Sequence, residues 1–147
     1  MTRVLNITLI IFTCLLFWQC NDSDDITDIF VNRRFKITNV VYNNTPINDI
    51  TELYIDDSYY IIFNQRTFQG ALMSGNNIEG TWEADGSKQS FHMNFGNNTN
   101  ISKTSDTQEK ILNILKNADR YEGDCNVIKI KKGNDAYIQM SSLNVIK

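Results

Sequence analysis

The sequence predicts an α+β fold: an antiparallel curved sheet or partly closed small barrel of short strands, with one late α-helix packed on it. Three observations predict it. From Arg33 onward, apolar and polar residues alternate with a period of two in a series of short segments, the mark of half-buried strands. Turn-forming clusters such as Asn43-Asn44-Thr45-Pro46, Asp85-Gly86-Ser87 and Gly133-Asn134 separate these segments. One segment alone, residues 106–118, carries a helical period, and a single helix beside many short strands must cover an open side or end of their sheet.

In the first strand, residues 33–42, Phe35, Ile37 and Val41 fall on one face and Arg34, Lys36 and Thr38 on the other. Asn43 and Asn44 tolerate left-handed backbone and Pro46 fixes its own φ, so the chain turns there. Glu52-Leu53-Tyr54-Ile55 and residues 59–64 read as a hairpin across Asp56-Asp57-Ser58, and residues 67–72 as a further strand. Ser74-Gly75-Asn76-Asn77 turns the chain into Ile78-Glu79-Gly80-Thr81-Trp82-Glu83, where Ile78 and Trp82 share a face with Gly80. In the following strand, residues 89–95, Phe91, Met93 and Phe95 point one way and His92 and Asn94 the other. The helix is expected to be capped by Asp106, with Glu109 completing a capping-box-like arrangement. Ile111, Ile114, Leu115 and Ala118 form its apolar stripe at i, i+3, i+4 and i+7. Arg120-Tyr121, residues 127–131 and residues 136–140 complete the strand series.

The N-terminus has the layout of a bacterial lipoprotein signal. A single charge at Arg3 precedes an apolar run of about 15 residues from Val4 to Trp18. That falls short of the roughly 20 residues of a spanning helix but suits a secretory h-region. Phe17, Trp18 and Gln19 lack the small residues of an ordinary cleavage site, whereas Cys20 resembles the lipobox cysteine. Gln19 stands where that motif prefers a small residue, and an uncleaved N-terminal anchor is the competing reading. The expected organisation is a signal peptide over residues 1–19, a lipidated acidic tether over residues 20–32, and an α+β domain over residues 33–147. A diacylglyceryl group on Cys20 would suffice for stable membrane attachment. Asn21-Asp22-Ser23-Asp24-Asp25 resembles the aspartate-rich tether of surface-exported lipoproteins and also reads as a solvated spacer. The expected location is therefore the outer membrane, at the cell surface or otherwise facing the periplasm.

Composition narrows the chemistry. Loss of residues 1–19 removes Arg3 and leaves 13 basic against 17 acidic side chains, a net of about −4. With no basic block, nucleic acid is not an expected partner. Of three cysteines, Cys14 lies in the signal and Cys20 at the lipid site, so Cys125 stands alone and no internal disulfide is expected. Cys125 with the sole histidine, His92, is too few ligands for a zinc site and a poor basis for cysteine catalysis. No cofactor or metal is expected.

A likeness to a known family covers most of the mature chain. An aromatic-led first strand holds Phe35 and Ile37, and Gly70 precedes an Asn-rich turn and Ile78-Glu79-Gly80-Thr81-Trp82. A late helix with Glu109, Ile111 and Leu115 leads into Ala118-Asp119-Arg120-Tyr121 and Val127-Ile128-Lys129-Ile130. In this order, residues 35–143 resemble the META domain of the heat-inducible lipoprotein group and related small Bacteroidetes lipoproteins. The threonine-methionine-alanine-cysteine segment of that family has no counterpart in Asn100-Ile101-Ser102-Lys103-Thr104-Ser105. The resemblance implies an α+β fold and an envelope location, and supplies no catalytic residues.

The function expected from these readings is a non-catalytic binding or envelope-stress module, monomeric, held to the membrane through Cys20. Its partner would be an envelope protein or a small molecule. Aromatic and polar residues off the predicted core face, Tyr54, Tyr60, Tyr137 and His92, are the candidate contacts. A carrier of a small apolar ligand is the alternative. A hydrolase built on Asp56-Asp57 and Asp85 ranks below it, since these acids sit in turns where aspartate bonds locally.

Overall fold

The computed structural model describes residues 25–47, 58–72, 75–101 and 104–145. A short helix, α1 (Ile26–Phe30), leads into β1 (Arg33–Tyr42) and the two-residue β2 (Thr45–Pro46). Then come β3 (Tyr59–Phe63), β4 (Thr67–Leu72), β5 (Asn77–Asp85) and β6 (Ser90–Phe95). Helix α2 (Asp106–Lys116) intervenes before β7 (Arg120–Gly123), β8 (Val127–Lys132) and β9 (Ala136–Val145). The expected strand around Tyr54 lies outside the described residues.

From β3 to β9 each strand pairs antiparallel with the next, β3 pairs with β1, and β9 returns to pair with β1. The sheet is thus a closed eight-stranded barrel, with β2 an extra strand on the far end of β1. The partly closed sheet of the sequence reading is corrected to full closure. The cause is the length of β1 and β9: β9 runs on past Met140 to Val145, so the two strands pair from Arg33 opposite Val145 to Val41 opposite Tyr137. Closure leaves these eight strands without an open edge on which another chain could add. A register shift between Ile37 and Asn39 reverses the phase: Val40, opposite Ile138, turns into the core, whereas Val41, expected on the core face, lies opposite the outer-wall Tyr137 and is buried outside the core cluster.

Both ends of the barrel are stoppered. At one end α1, opened by Asp25 whose carboxylate accepts the Thr27 N–H at 2.9 Å, drives Phe30 into the lumen. Phe30 is 0% exposed, and its ring lies 5.0–5.3 Å from the rings of Phe63, Trp82, Phe91 and Tyr121. Ile29 and Phe30, expected within the tether, are therefore part of the core, and Ile26 packs against it. The signal was the apolar pair Ile29-Phe30, too short to show a period. At the opposite end α2 buries Ile111, Leu112, Ile114 and Leu115. Its cap is Ser105 rather than Asp106, and Gln108 rather than Glu109 closes the capping box. The reason is that Gln108 has a second task. It is 1% exposed, and its amide donates to the Leu72 carbonyl at 3.2 Å and the Tyr59 hydroxyl at 3.4 Å while accepting from Asn76. One side chain thus fixes the helix start to the ends of β3 and β4.

Candidate functional site

With the lumen filled by side chains, surface available to a partner lies on the outer wall. Among the expected contact residues, Tyr60 is half-buried on the outside of β3, with the Arg34 guanidinium 4.1 Å from its ring centre. Tyr137 is half-buried on β9, with the Lys129 ammonium 5.0 Å from its ring. Both flank β1, but Tyr60 pairs with Lys36 and Tyr137 with Val41, about 16 Å apart along that strand. His92 lies on β6, three strands round the wall from β3. These three residues do not converge. Tyr54 and Cys20 lie outside the described residues.

His92 instead marks a different cluster. The β5–β6 hairpin sets Thr81 opposite Asn94, Glu83 opposite His92 and Asp85 opposite Ser90, all on the outer face. Between them Trp82, Ala84, Phe91 and Met93 turn inward, by the period of two. The β3–β4 turn is folded over this hairpin. The Trp82 backbone N–H donates to the Arg66 carbonyl at 3.1 Å, and its indole N–H to the Asn64 carbonyl at 2.9 Å. Those two bonds bring Gln65 and Arg66 beside Thr81 and Glu83.

The result is a groove of about 560 Å³ lined by Gln65, Arg66, Thr81, Glu83 and Asn94, with Ile26 and the strand positions of Trp82 and Ala84 completing its lining. Glu83 and Ala84 also line an adjoining depression of about 220 Å³ with Asp85, Ser90 and His92. The five polar side chains of the larger groove are exposed, and none hydrogen-bonds or pairs with another described residue. His92 Nδ1 lies 3.0 Å from the Ala118 carbonyl, which can only accept, so Nδ1 carries the proton and Nε2 is the acceptor of the neutral ring. Asp85 is occupied locally. Its carboxylate accepts from the Ser87 hydroxyl at 2.6 Å and the Ser87 N–H at 2.9 Å, with Lys88 at 3.6 Å. The Ser87 hydroxyl bond, foremost, holds its carboxyl below the usual aspartate range.

Among the described residues, the cysteine and metal chemistries weighed from sequence are not assembled. Cys125 is half-buried and unbonded to sulfur, in the turn after Gly123. Asp124 orders that turn by accepting the Asn126 and Val127 N–H groups. His92 sits beside Ala118, whereas the chain from Arg120 opposite Ser90 runs to Cys125 in the other direction along the wall. Among the described residues no group of three His, Cys, Asp or Glu could hold a metal ion. Asp56 and Asp57 lie outside them.

Sequence reasoning reached His92 and the outward turn of Asn94 but missed Gln65, Arg66, Thr81 and Glu83. The signal for Thr81 and Glu83 was present as the outward phase of a strand whose inward phase is Ile78 and Trp82. Nothing in the sequence sets the β3–β4 turn over that strand.

A model of the domain of unknown function DUF4847 matches residues 21–141. The fold is similar to that in the crystal structure of a DUF4847 family protein from Bacteroides vulgatus, with a TM-score of 0.63 and 25% sequence identity. That similarity covers 79% of this chain and 96% of the other. No curated protein matches.

Proposed function

The chain belongs to the DUF4847 family, and on that premise we propose that it is a non-catalytic, envelope-anchored binding module whose ligand site is the outer groove over β5 and β6. One observation carries the reading. Five polar side chains from two hairpins line one groove without a bonding partner among the described residues, while the lumen that a carrier would use is filled by Phe30 and its aromatic neighbours. The small-apolar-ligand carrier is disfavoured because Phe30, Phe63, Trp82, Phe91 and Tyr121 pack together in the interior that such a ligand would occupy.

The anchor belongs to the same proposal. The family match starts at residue 21, directly after Cys20, as expected if residues 1–19 are removed and Cys20 is lipidated. The likeness of residues 35–143 to META domains supports an envelope location and assigns no binding residue.

Two measurements test it. Cells fed a fatty-acid analogue should label the wild-type protein and not Cys20→Ala, and external protease should remove the protein from intact cells if it faces outward. An unlabelled wild type sinks the anchor. For the groove, His92 is the chain's sole histidine and is exposed, so it is a unique reporter. Carbethoxylation of His92 should be slower in intact envelopes than in purified protein. Equal rates in both settings count against an occupied groove.

A further inference from the structure

We propose that the β5–β6 groove is a saccharide site that takes a neutral oligosaccharide laid along β5 from Arg66 toward His92; this rests on the groove being the binding site. A sugar hydroxyl donates and accepts, so its recognition needs both kinds of group within reach. Gln65 and Asn94 offer amides of both kinds, Arg66 a fork of donors, Glu83 two acceptor oxygens, and Thr81 a hydroxyl. Four of these five side chains end in planar groups that present two polar atoms side by side, the arrangement that two adjacent ring hydroxyls match. His92 presents Nε2, an acceptor in the neutral ring and a donor in the charged one, because Nδ1 is committed to the Ala118 carbonyl. Ile26, half-buried at the end of the groove, supplies an apolar surface on which the C–H face of a sugar ring can rest.

Charge and topology argue against a phosphate polymer and a strand-adding peptide. Arg66 is the sole cation among the residues lining the larger groove and is offset by Glu83, with no basic excess to hold a phosphate polymer. An extended peptide would seek an unpaired strand edge. Here β5 is paired on both sides, to β4 and β6, so no backbone ladder is offered. The wall from Thr81 to Asp85 is about 13 Å long at the rise of an extended strand, more than one ring needs. The fit is therefore to an oligomer.

The test uses the full mature chain, lipidated and held in detergent micelles, titrated with neutral tetrasaccharides of glucose and of N-acetylglucosamine in several linkages. Tetragalacturonate and an unstructured peptide serve as comparison probes. At least one neutral tetrasaccharide is expected to bind and to shift the side-chain amide resonances of Gln65 and Asn94. Arg66→Ala and Asn94→Ala should each weaken that binding about tenfold, the loss of a hydrogen bond to a ligand, with thermal stability retained. Lys129→Ala, on a different wall, should leave it unchanged. Binding that neither groove variant weakens, or no binding by any neutral tetrasaccharide, overturns the proposal. If tetragalacturonate or the peptide alone moves Gln65 and Asn94, the groove stands as a site and its saccharide assignment falls. If no probe moves them, both readings fall.

Discussion

Gly80 shows how a single missing side chain holds the groove together. It lies in β5 opposite Phe95, and a Cβ added there would overlap the Asn94 carbonyl and crowd the Phe68 ring at 2.9 Å. The absence of a Cβ lets β5 and β6 close up at the residue before Thr81, so Gly80→Ala is expected to cost about 1–3 kcal/mol through overpacking. Thermal unfolding of the variant would measure it, and an unchanged midpoint would mean the strands separate without penalty. A second residue-scale expectation concerns Glu122 on β7. The Lys131 ammonium bonded to it at 2.6 Å, foremost, holds its carboxyl below the usual glutamate range. A depressed folded-state pKa gives stability that is present above the unfolded value and lost as pH falls through the folded one. Glu122 is 47% exposed, so solvent reduces the effect to a few tenths of a kcal/mol. Wild type should exceed Glu122→Gln slightly at neutral pH, and the gap should close in acid. A gap that widened in acid would reverse the assigned sign. Neither residue was legible as a partner from sequence: Gly80 could be placed on the inward face, but its neighbour across the sheet depends on register.

At the level of elements, strands were more legible than ends. The alternation in β5 and β6, and in β1 as far as Ile37, marked both the strand and the buried face, because a half-buried sheet has one period to satisfy. The helix stripe was equally plain. What failed was short or doubly employed. Residues 26–30 span too few positions to show a period, yet Phe30 is the centre of the aromatic cluster. The helix cap shifted by one residue because Gln108, polar and in the first turn, is buried to bond Leu72 and Tyr59. These two helix-end features should differ sharply in weight. Phe30→Ala is expected to cost about 3–5 kcal/mol, the range for removing a large aromatic from a packed core. Ser105→Ala removes one cap bond and should cost about 1 kcal/mol. Chemical denaturation of both variants gives the comparison. Equal losses would mean that α1 is an accessory and that the barrel end closes without its plug.

For the whole molecule, closure was the least legible property, since it depends on β1 and β9 meeting from opposite ends of the chain. The candidate groove shares that difficulty: its residues come from three separate segments, and only the β5–β6 half lies within one hairpin. The same topology creates an uneven wall. β1 and β9 pair along almost their whole length, and β3 to β6 form continuous ladders. Between β6 and β7 the ladder shrinks to Ser90 opposite Arg120, flanked by the Phe91 N–H on the Asp119 carbonyl at 3.2 Å and the Tyr121 N–H on the Gln89 carbonyl at 3.0 Å. The chain spends the intervening residues on α2, which crosses the barrel end. Backbone bonding is thus thinnest on the wall that carries His92, although the Phe91 and Tyr121 side chains are fully buried. Regions held by few backbone bonds open at lower free energy than the global barrier. Native-state hydrogen exchange should therefore find the Phe91 and Tyr121 amides opening below the free energy of those that join β1 to β9. The opposing force is the aromatic cluster around Phe30, which packs directly on both residues. If that packing governs, both sets of amides will exchange only with global unfolding, and the seam will have to be counted as part of the rigid wall. In that case Phe30→Ala should expose the difference, lowering protection at Phe91 and Tyr121 by more than at the β1–β9 closure.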